Sequence, residues 1–291
     1  MTTAAFPDGH FYSPVVSGEE ALNDQQRIWP EVPEVPGIEF NAERQLELLQ
    51  ARFPRLLDGF EYEETGPADE ALDRFYESNG QFENIDPRVL FCMLRMLRPR
   101  RVVEVGSGYS TLLMKDVNAR FLDGRVSITC VEPYPRPFLL KAHTEGSIRL
   151  LQQRAQDVDA RVFLELEAGD ILFIDSSHVS KTGSDVNHLF LQILPRLQPS
   201  VYVHIHDIFL PSDYPKHWVL QDGRSWNEQY LLQAFLAFNT EFEVIFGAAY
   251  VAKHYPQQLA AFLGARRPSG GSFWIRRKQP GVHSTEALLG S

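Results

Sequence analysis

The stretch that decides the fold is Arg101-Val-Val-Glu-Val-Gly-Ser-Gly-Tyr-Ser-Thr111. Residues 102–105 predict a short buried strand, and the spaced glycines Gly106 and Gly108 predict a tight turn directly after it. Ser110 is well placed to cap the helix that follows. Such a strand, turn and helix start can form a ligand platform, because glycine lets the backbone approach closely and a helix start offers free N–H groups. An ordinary strand–helix connection can have the same pattern, so the neighbouring strands must decide.

Length and composition bound the classes of protein that are possible. The chain has 291 residues, of which 44% are hydrophobic and 23% are charged, and this is typical of a globular protein with a sizeable core. Its formal net charge of −10 argues against nucleic acid as a partner held by bulk charge. Cys92 and Cys130 fall in apolar patterns and are expected to be buried thiols. No apolar run reaches the ~18 residues of a membrane span and no secretion signal is recognisable, so we expect a cytoplasmic protein without a membrane partner.

Changes in composition and hydrophobic periodicity divide the chain into four predicted segments. These are an extended N-terminal arm at 1–40, a helical N-terminal section at 41–98, a domain of alternating strands and helices at 99–278, and a flexible tail at 279–291. Repeated X-Pro steps favour the extended arm. Within the helical section we expect helices over 41–53 and 69–79, and a third helix that begins with Asp86 as its N-cap and ends before Pro99.

The third segment predicts a mainly parallel sheet. Its strands are expected at 101–105, 126–131, 148–151, 170–175, 201–207, 242–248 and 272–277. Helices are expected between them at 110–119, 135–143, 184–194 and 227–238, and 249–271 is expected to be irregular. Strands separated by helices predict a doubly wound α/β sheet of seven strands, with an N-terminal helical extension. Such a sheet binds ligands outside the carboxyl ends of its strands.

Polar side chains follow the second and third strands at the point where each strand ends. Glu132 follows the second strand, where a carboxylate can accept hydrogen bonds from both hydroxyls of a ribose. Gln156 and Asp157 follow the third strand, and either side chain could meet the amino group of a purine. For Asp157, a helix cap is an equally good interpretation.

The fourth and fifth strands end in acids. Asp175 and Asp207 follow runs of apolar residues, and adjacent strands lie about 4.8 Å apart, so the two carboxylates could face each other. Two such carboxylates repel unless one is protonated or a cation lies between them. His206 is a candidate metal ligand or a structural histidine, and a histidine ligand would admit Mn²⁺, Fe²⁺ or Zn²⁺ beside Mg²⁺. His178, on a serine-rich loop, is a candidate general base.

The stretch 211–226, here called the aromatic loop, follows the fifth strand and includes Trp218, Arg224 and Trp226. It is too polar and proline-rich for regular structure, and it falls where a substrate lid would lie. Aromatic rings with an arginine suit a planar or sugar-like ligand, and they equally suit a loop that packs down on the domain.

Four motifs together resemble the class I S-adenosylmethionine-dependent methyltransferases, most closely the small-molecule branch grouped as methyltransferase family 24. They are Glu104-Val-Gly-Ser-Gly108, Val131-Glu-Pro133, Asp170-Ile-Leu-Phe-Ile-Asp175 and His206-Asp207. The resemblance covers roughly residues 85–250 and implies a Rossmann-like methyltransferase sheet, S-adenosylmethionine as cofactor and a small-molecule acceptor. A monomer and a homo-oligomer are both compatible with it.

The resemblance implies roles residue by residue. The methionine end of the cofactor would be held by Glu104, Gly106, Ser107 and Gly108, with Ser110 at the adjoining helix start. Glu132 would bind the ribose hydroxyls, and Asp157 would lie beside the adenine.

For metal-dependent O-methyltransferases of the catechol type, the resemblance implies that Asp175 and Asp207 bind Mg²⁺ or another divalent metal. His178 stands where that group usually has a lysine base. Ile208 replaces the asparagine that usually follows the second acid, which leaves His206 or His178 as the third ligand. The expected reaction is methyl transfer to a hydroxyl that the cation orients and activates, with His178 or the carboxylates taking the proton.

Three rivals share the architecture. A nicotinamide-dependent oxidoreductase would need a third glycine, and Thr111 stands where its loop would have it. A cofactor-binding protein that has lost its chemistry, and a metal enzyme of the same fold that does not transfer methyl groups, both remain alternatives.

Overall fold

The computed structural model describes residues 5–264 and 266–279, and these residues form one seven-stranded sheet flanked by helices. The strands are β1 (Arg101–Val105), β2 (Ser127–Val131), β3 (Arg149–Leu151), β4 (Ile171–Ile174), β5 (Tyr202–Ile205), β6 (Phe242–Gly247) and β7 (Phe273–Arg277). Their order in the sheet is β3-β2-β1-β4-β5-β7-β6, and β7 runs antiparallel to both of its neighbours. All seven predicted strands are therefore present, and the mainly parallel sheet is confirmed.

Helices cover both faces of the sheet. They are α1 (Gly18–Asn23), α2 (Gln25–Ile28), α3 (Ala42–Glu47), α4 (Phe53–Leu56), α5 (Ile85–Leu97), α6 (Tyr109–Phe121), α7 (Pro137–Thr144), α8 (Arg161–Leu164), α9 (Asp185–His188), α10 (Lys216–Leu220), α11 (Glu228–Leu236), α12 (Ala248–His254) and α13 (Pro256–Leu263). A π-helical turn over Leu48–Arg52 joins α3 to α4, and another over Leu189–Ile193 extends α9. None of the helices in the described residues is long and apolar enough to cross a membrane.

Two hydrophobic cores fix the sheet between these helices. One face of the sheet, with Val102 and Phe173, packs against α5, α6, α7, α12 and α13. The other face, with Val103 and Leu172, packs against α8, α9 and α11. Because both faces are covered, the central strands are mostly buried, and β4 has four buried apolar residues in succession. The sheet therefore holds the strand ends of β1, β4 and β5 side by side at one edge.

The N-terminal segments differ from expectation in three places. Residues 18–28 of the predicted extended arm contain no proline and form α1 and α2, with Ser17 as the side-chain cap of α1. The predicted helix at 69–79 is only a 3₁₀ turn over Asp69–Ala71, because Leu72 and Phe75 are buried from an irregular chain. The first helical stretch continues through Pro54, which lies in the first turn of α4 and so needs no helical N–H partner.

Two predicted caps and one predicted loop are also wrong. Helix α5 begins at Ile85, so Asp86 lies inside its first turn and its carboxylate binds another segment. Helix α6 begins at Tyr109 after Gly108, so Ser110 is not its cap. The stretch 249–271 was expected to be irregular but contains most of α12 and all of α13, whose apolar residues join the first core. The tail at 280–291 lies outside the described residues, and the four-segment division stays a prediction.

Candidate functional site

A cleft of about 580 Å³ opens at the carboxyl ends of the first four strands. Its walls include the turn at Gly106, the side chains of Glu132 and Gln156, and the β4 end at Asp175. Its volume lies within the range of small-molecule and cofactor sites. The position is the one expected for ligand binding in a doubly wound sheet.

Gly106 shapes the floor of this cleft. Its φ of 77° lies in the left-handed region, and a Cβ atom at this position would overlap the backbone carbonyl of Asp175. The turn after β1 and the end of β4 can approach this closely only because residue 106 has no side chain. The spacing of the glycines in the sequence therefore has a direct structural cause at Gly106.

Glu104 lies beneath the turn, away from the cleft wall. It is fully buried, and its carboxylate accepts hydrogen bonds from Ser110 Oγ, at 2.5 Å, and from Thr111 Oγ1. Burial raises the pKa of Glu104 to about 7, although these hydroxyl hydrogen bonds oppose the rise. Glu104 and Ser110 thus connect β1 to the start of α6 and support the loop from below. The structure brings neither side chain into the cleft.

The other predicted cofactor residues divide between the cleft and its surroundings. Glu132 is half-buried on the cleft wall, where one carboxylate oxygen accepts the backbone N–H of Tyr134 at 2.8 Å. Burial raises the pKa of Glu132. Ser107 is buried, and its hydroxyl has no hydrogen-bond partner among the described residues. Gly108 stands at the N-cap of α6.

The structure places Gln156, and not Asp157, on the cleft wall. Asp157 is about half exposed and forms two hydrogen bonds with Arg154, at 2.6 and 3.1 Å. Gln156 donates from Nε2 to the carbonyl of Gly183 at 3.0 Å, and its buried Oε1 has no partner in the described part of the chain. Of the two residues predicted to meet a purine, Gln156 lines the cleft and Asp157 does not, while contact of either with a purine stays a prediction.

Asp175 and Asp207 come together across the ends of β4 and β5. Together with His178 they offer ligand atoms that all lie within 4.8 Å of one another. Both Asp207 and His178 adopt left-handed backbone conformations, with φ of 58° and 59°. A positive φ is uncommon for residues other than glycine, and such residues cluster at functional sites. The fold thus holds two turns in an unfavourable conformation at the same edge of the sheet.

His178 is held between a buried acid and the two aspartates. Its Nδ1 lies 2.8 Å from Glu228 Oε2, and its Nε2 lies 3.2 Å from Asp175 Oδ1 and 3.7 Å from Asp207 Oδ2. Trp226 stacks on the imidazole at 4.2 Å between ring centroids. Burial opposes protonation, but hydrogen bonds with Asp175 and Glu228 raise the pKa of His178 to about 10.

His206 approaches the same carboxylates from the other side. Its Nδ1 lies 3.6 Å from Asp175 Oδ1 and 3.5 Å from Asp207 Oδ1, and its Nε2 lies 3.3 Å from Asp86 Oδ2. Burial opposes protonation here too, but Asp207 and Asp175 raise the pKa of His206. Burial alone would raise the pKa of Asp175, yet the two histidines hold it below its usual range. The site therefore has a surplus of negative charge that attracts positive charge.

Comparison with known proteins gives the family. A model described as a methyltransferase domain matches residues 103–208, which contain β1 to β5 and both aspartates. An uncharacterised protein of Archaeoglobus fulgidus is 36% identical over 183 residues, which cover 61% of this chain and 82% of the relative. Residues 103–208 therefore belong to the methyltransferase-domain family that this model describes.

Solved structures of methyltransferases resemble the chain at low identity. A Klebsiella pneumoniae protein assigned as an O-methyltransferase is 13% identical with a TM-score of 0.42, over 80% of this chain and 90% of that one. The structure designated cmcI-D160 Mg-SAM is 17% identical with a TM-score of 0.42, over 75% of this chain and 88% of that one.

The sequence analysis assigned no role in the site to two buried acids that contact its histidines. Glu228, at the first position of α11, contacts His178, and Asp86 contacts His206. Each acid stands near the start of a helix that otherwise buries apolar residues, and a fully buried carboxylate requires a partner. An acid followed by a run of apolar residues is visible in the sequence at both positions, but acids are also common at ordinary helix starts.

Proposed function

We propose that this methyltransferase transfers a methyl group to a hydroxyl of a small molecule, assisted by a divalent cation. The observation that carries the proposal is the position of Asp175. Its side chain belongs both to the wall of the cleft and to the cluster of carboxylates and imidazoles. A nucleoside cofactor in the cleft and an acceptor at the cluster would meet at this residue.

The cleft residues suit the cofactor of the family. S-adenosylmethionine, when bound, supplies a methyl group on a sulfonium centre. Glu132 lines the cleft, and its carboxylate would accept hydrogen bonds from the ribose hydroxyls. Gln156 would accept a hydrogen bond from the adenine amino group through its unpartnered Oε1. Gly106 would let the cofactor lie against the backbone of the turn.

The cluster suits a cation that Asp175 and Asp207 hold. Nε2 of His178 and Nδ1 of His206 both lie near these carboxylates, and we assign His206 as the third ligand and leave His178 as the base. A divalent ion there would orient a hydroxyl and lower its pKa. It would also offset the negative charge that raises the pKa of both imidazoles. His178 would then be neutral and accept the hydroxyl proton at Nε2, while Glu228 holds Nδ1.

Cofactor binding is tested by thermal unfolding. We expect S-adenosylmethionine to raise the melting temperature and NAD not to do so, since a ligand that binds only the folded state stabilises it. Q156A should weaken S-adenosylmethionine binding by about fivefold, the effect of one lost hydrogen bond of about 1 kcal/mol. The control D159N removes an acid that pairs with Arg161, neither of which lines the cleft, and it should bind like the parent. Equal shifts with both nucleotides would disprove the cofactor assignment.

Catalysis is tested by release of S-adenosylhomocysteine with a panel of hydroxylated acceptors. H178A should reduce turnover by about 10²–10⁴-fold, the usual contribution of a general base, with cofactor affinity unchanged. D175N and D207N should each lose divalent-metal binding in calorimetry. If H178A turns over like the parent, His178 is not the base; if both aspartate variants bind Mg²⁺ and Mn²⁺ normally, the metal site is elsewhere.

A second candidate is a metal enzyme of the same fold that does not transfer methyl groups. The presence of two imidazoles beside two carboxylates favours it, because two histidines with a carboxylate are typical of non-haem iron sites. Dioxygen consumption by the Fe²⁺-loaded protein without release of S-adenosylhomocysteine would identify this function. A protein that binds the cofactor without either activity would be the catalytically silent form.

A further inference from the structure

We infer that Asp86 positions His206 as a nitrogen ligand, and that this pair makes the cation site select Mn²⁺ or Fe²⁺ over Mg²⁺. The inference rests on the proposed function, since it concerns the same site. It depends on two buried side chains: His206, which lies next to the carboxylates of the cluster, and Asp86, which contacts His206.

His206 brings an unsatisfied nitrogen to the cluster. The residue is 4% exposed, and its Nδ1 has no hydrogen-bond partner in the described residues. That atom nevertheless lies 3.5 Å from Asp207 Oδ1 and 3.6 Å from Asp175 Oδ1. Without a cation, a proton on this atom would lie between the two carboxylates, and a bound cation would take the place of that proton.

The hydrogen bond with Asp86 determines which ring nitrogen of His206 carries the proton when the imidazole is neutral. Its two oxygens accept the backbone N–H groups of Gly271 at 3.0 Å and Ser272 at 2.9 Å. A carboxylate that accepts these bonds also accepts the Nε2–H of His206, at 3.3 Å. A neutral His206 therefore carries its proton on Nε2 and a lone pair on Nδ1. Carboxylates behind ligand histidines fix the tautomer in this way at metal sites.

Aromatic rings pack against the imidazole of His206. Phe82 lies at 5.3 Å between ring centroids, and His204, on β5, lies at 5.8 Å. A lone pair held against two carboxylates is repulsive unless a proton or a cation lies between them. The Nδ1 atom of His206 lies 3.5 and 3.6 Å from oxygens of Asp207 and Asp175, and neighbouring ligands of one ion can have such spacings.

The donor set determines the preference among metals. Mg²⁺ demands oxygen ligands and keeps several waters, whereas imidazole suits first-row transition metals. Replacement of an oxygen ligand by the Nδ1 of His206 therefore weakens Mg²⁺ more than it weakens Mn²⁺ or Fe²⁺. Carboxylates remain in the set, and this keeps Mn²⁺ among the favoured ions.

The test measures Mn²⁺ and Mg²⁺ binding to the full-length, metal-stripped protein. Electron paramagnetic resonance follows the loss of the free Mn²⁺ signal, and Mg²⁺ affinity is obtained from its competition with Mn²⁺. We expect the parent to bind Mn²⁺ at least about tenfold more tightly than Mg²⁺. H206Q should bring that ratio close to one, because the amide offers oxygen in place of nitrogen. D86N should weaken Mn²⁺ binding by about 10–100-fold, as loss of a supporting carboxylate does.

Two matched variants separate this role from general damage to the core. H204Q changes the neighbouring buried histidine, which bonds Ser272 Oγ at 2.8 Å and does not face the carboxylates. D170N changes another buried acid that accepts backbone N–H groups, those of Arg100 and Arg101, at the opposite edge of the sheet. Both controls should retain the Mn²⁺ to Mg²⁺ ratio of the parent even if their melting temperatures fall.

The outcomes distinguish this inference from the proposed function. Equal Mn²⁺ and Mg²⁺ affinities in the parent, or a ratio that H206Q leaves unchanged, would overturn the inference and leave metal-assisted methyl transfer standing. The absence of any divalent-metal binding would overturn both the inference and the metal part of the proposed function, while the thermal shift with S-adenosylmethionine would test the cofactor part separately. If D86N folds and binds Mn²⁺ like the parent, Asp86 does not position His206.

Discussion

The buried carboxylate of Glu104 makes a quantitative prediction about stability and pH. The substitution E104Q replaces it with a neutral side chain of the same shape, and the amide can still bond the hydroxyls of Ser110 and Thr111. In the folded protein, burial raises the pKa of Glu104 from 4.5 to about 7. In the unfolded chain the carboxyl group returns to its ordinary pKa.

The sign of the effect follows from where the proton binds more tightly. Below about pH 4.5 both states are protonated and Glu104 does not destabilise the fold. Between pH 4.5 and 7 the unfolded chain loses its proton first, so the free energy of unfolding falls as the pH rises. Above pH 7 the full difference of about 2.5 units applies, which at 1.36 kcal/mol per unit is about 3 kcal/mol.

Urea unfolding of the parent and of E104Q at pH 5 and pH 8 measures this difference. Relative to E104Q, the parent should lose about 2–3 kcal/mol between the two pH values, and contributions from all other titrating groups cancel in the comparison. E241Q makes the same change at an exposed glutamate and serves as the control. Parallel pH curves for the parent and E104Q would refute the reasoning and show that Glu104 is already ionised in the fold at pH 5.

Three further predictions concern the scaffold. G106A should lower the free energy of unfolding by more than about 3 kcal/mol and abolish stabilisation by S-adenosylmethionine, because the new methyl group overlaps a backbone carbonyl. Gly124 also has a left-handed backbone but open space around it, so G124A should lower the free energy of unfolding by only about 1 kcal/mol, as measured by thermal unfolding. W29F removes an indole donor, 2.8 Å from a backbone carbonyl of the aromatic loop, and should speed amide hydrogen exchange in that loop with little change in global stability; unchanged exchange would show that the arm does not restrain it. E77Q weakens nearly buried ion pairs with Arg88 and Arg266 and should cost about 2–3 kcal/mol in urea unfolding, while E47Q, at an exposed pair with Arg52, should unfold like the parent.

Periodicity predicted the elements whose own residues decide their structure. Strand β4 was recognisable because a strand covered on both faces is apolar along its whole length. The irregular conformation of 69–79 could not be recognised from periodicity. Its apolar residues have helical spacing, but they are buried by tertiary contacts that only the assembled core supplies.

The same division runs through the candidate site. The sequence by itself determined that Asp175 and Asp207 end neighbouring strands, because parallel strands deliver their carboxyl ends to one edge of the sheet. Only the tertiary structure decided that Glu228 and Asp86 stand behind the two histidines, since these acids come from helices 50 and 120 residues away in the chain. It also decided that Glu104 supports the glycine turn from below and that Gln156 faces the cleft in place of Asp157. Strand position is a local property of the sequence, whereas the partner of a buried charge depends on which helix packs against it.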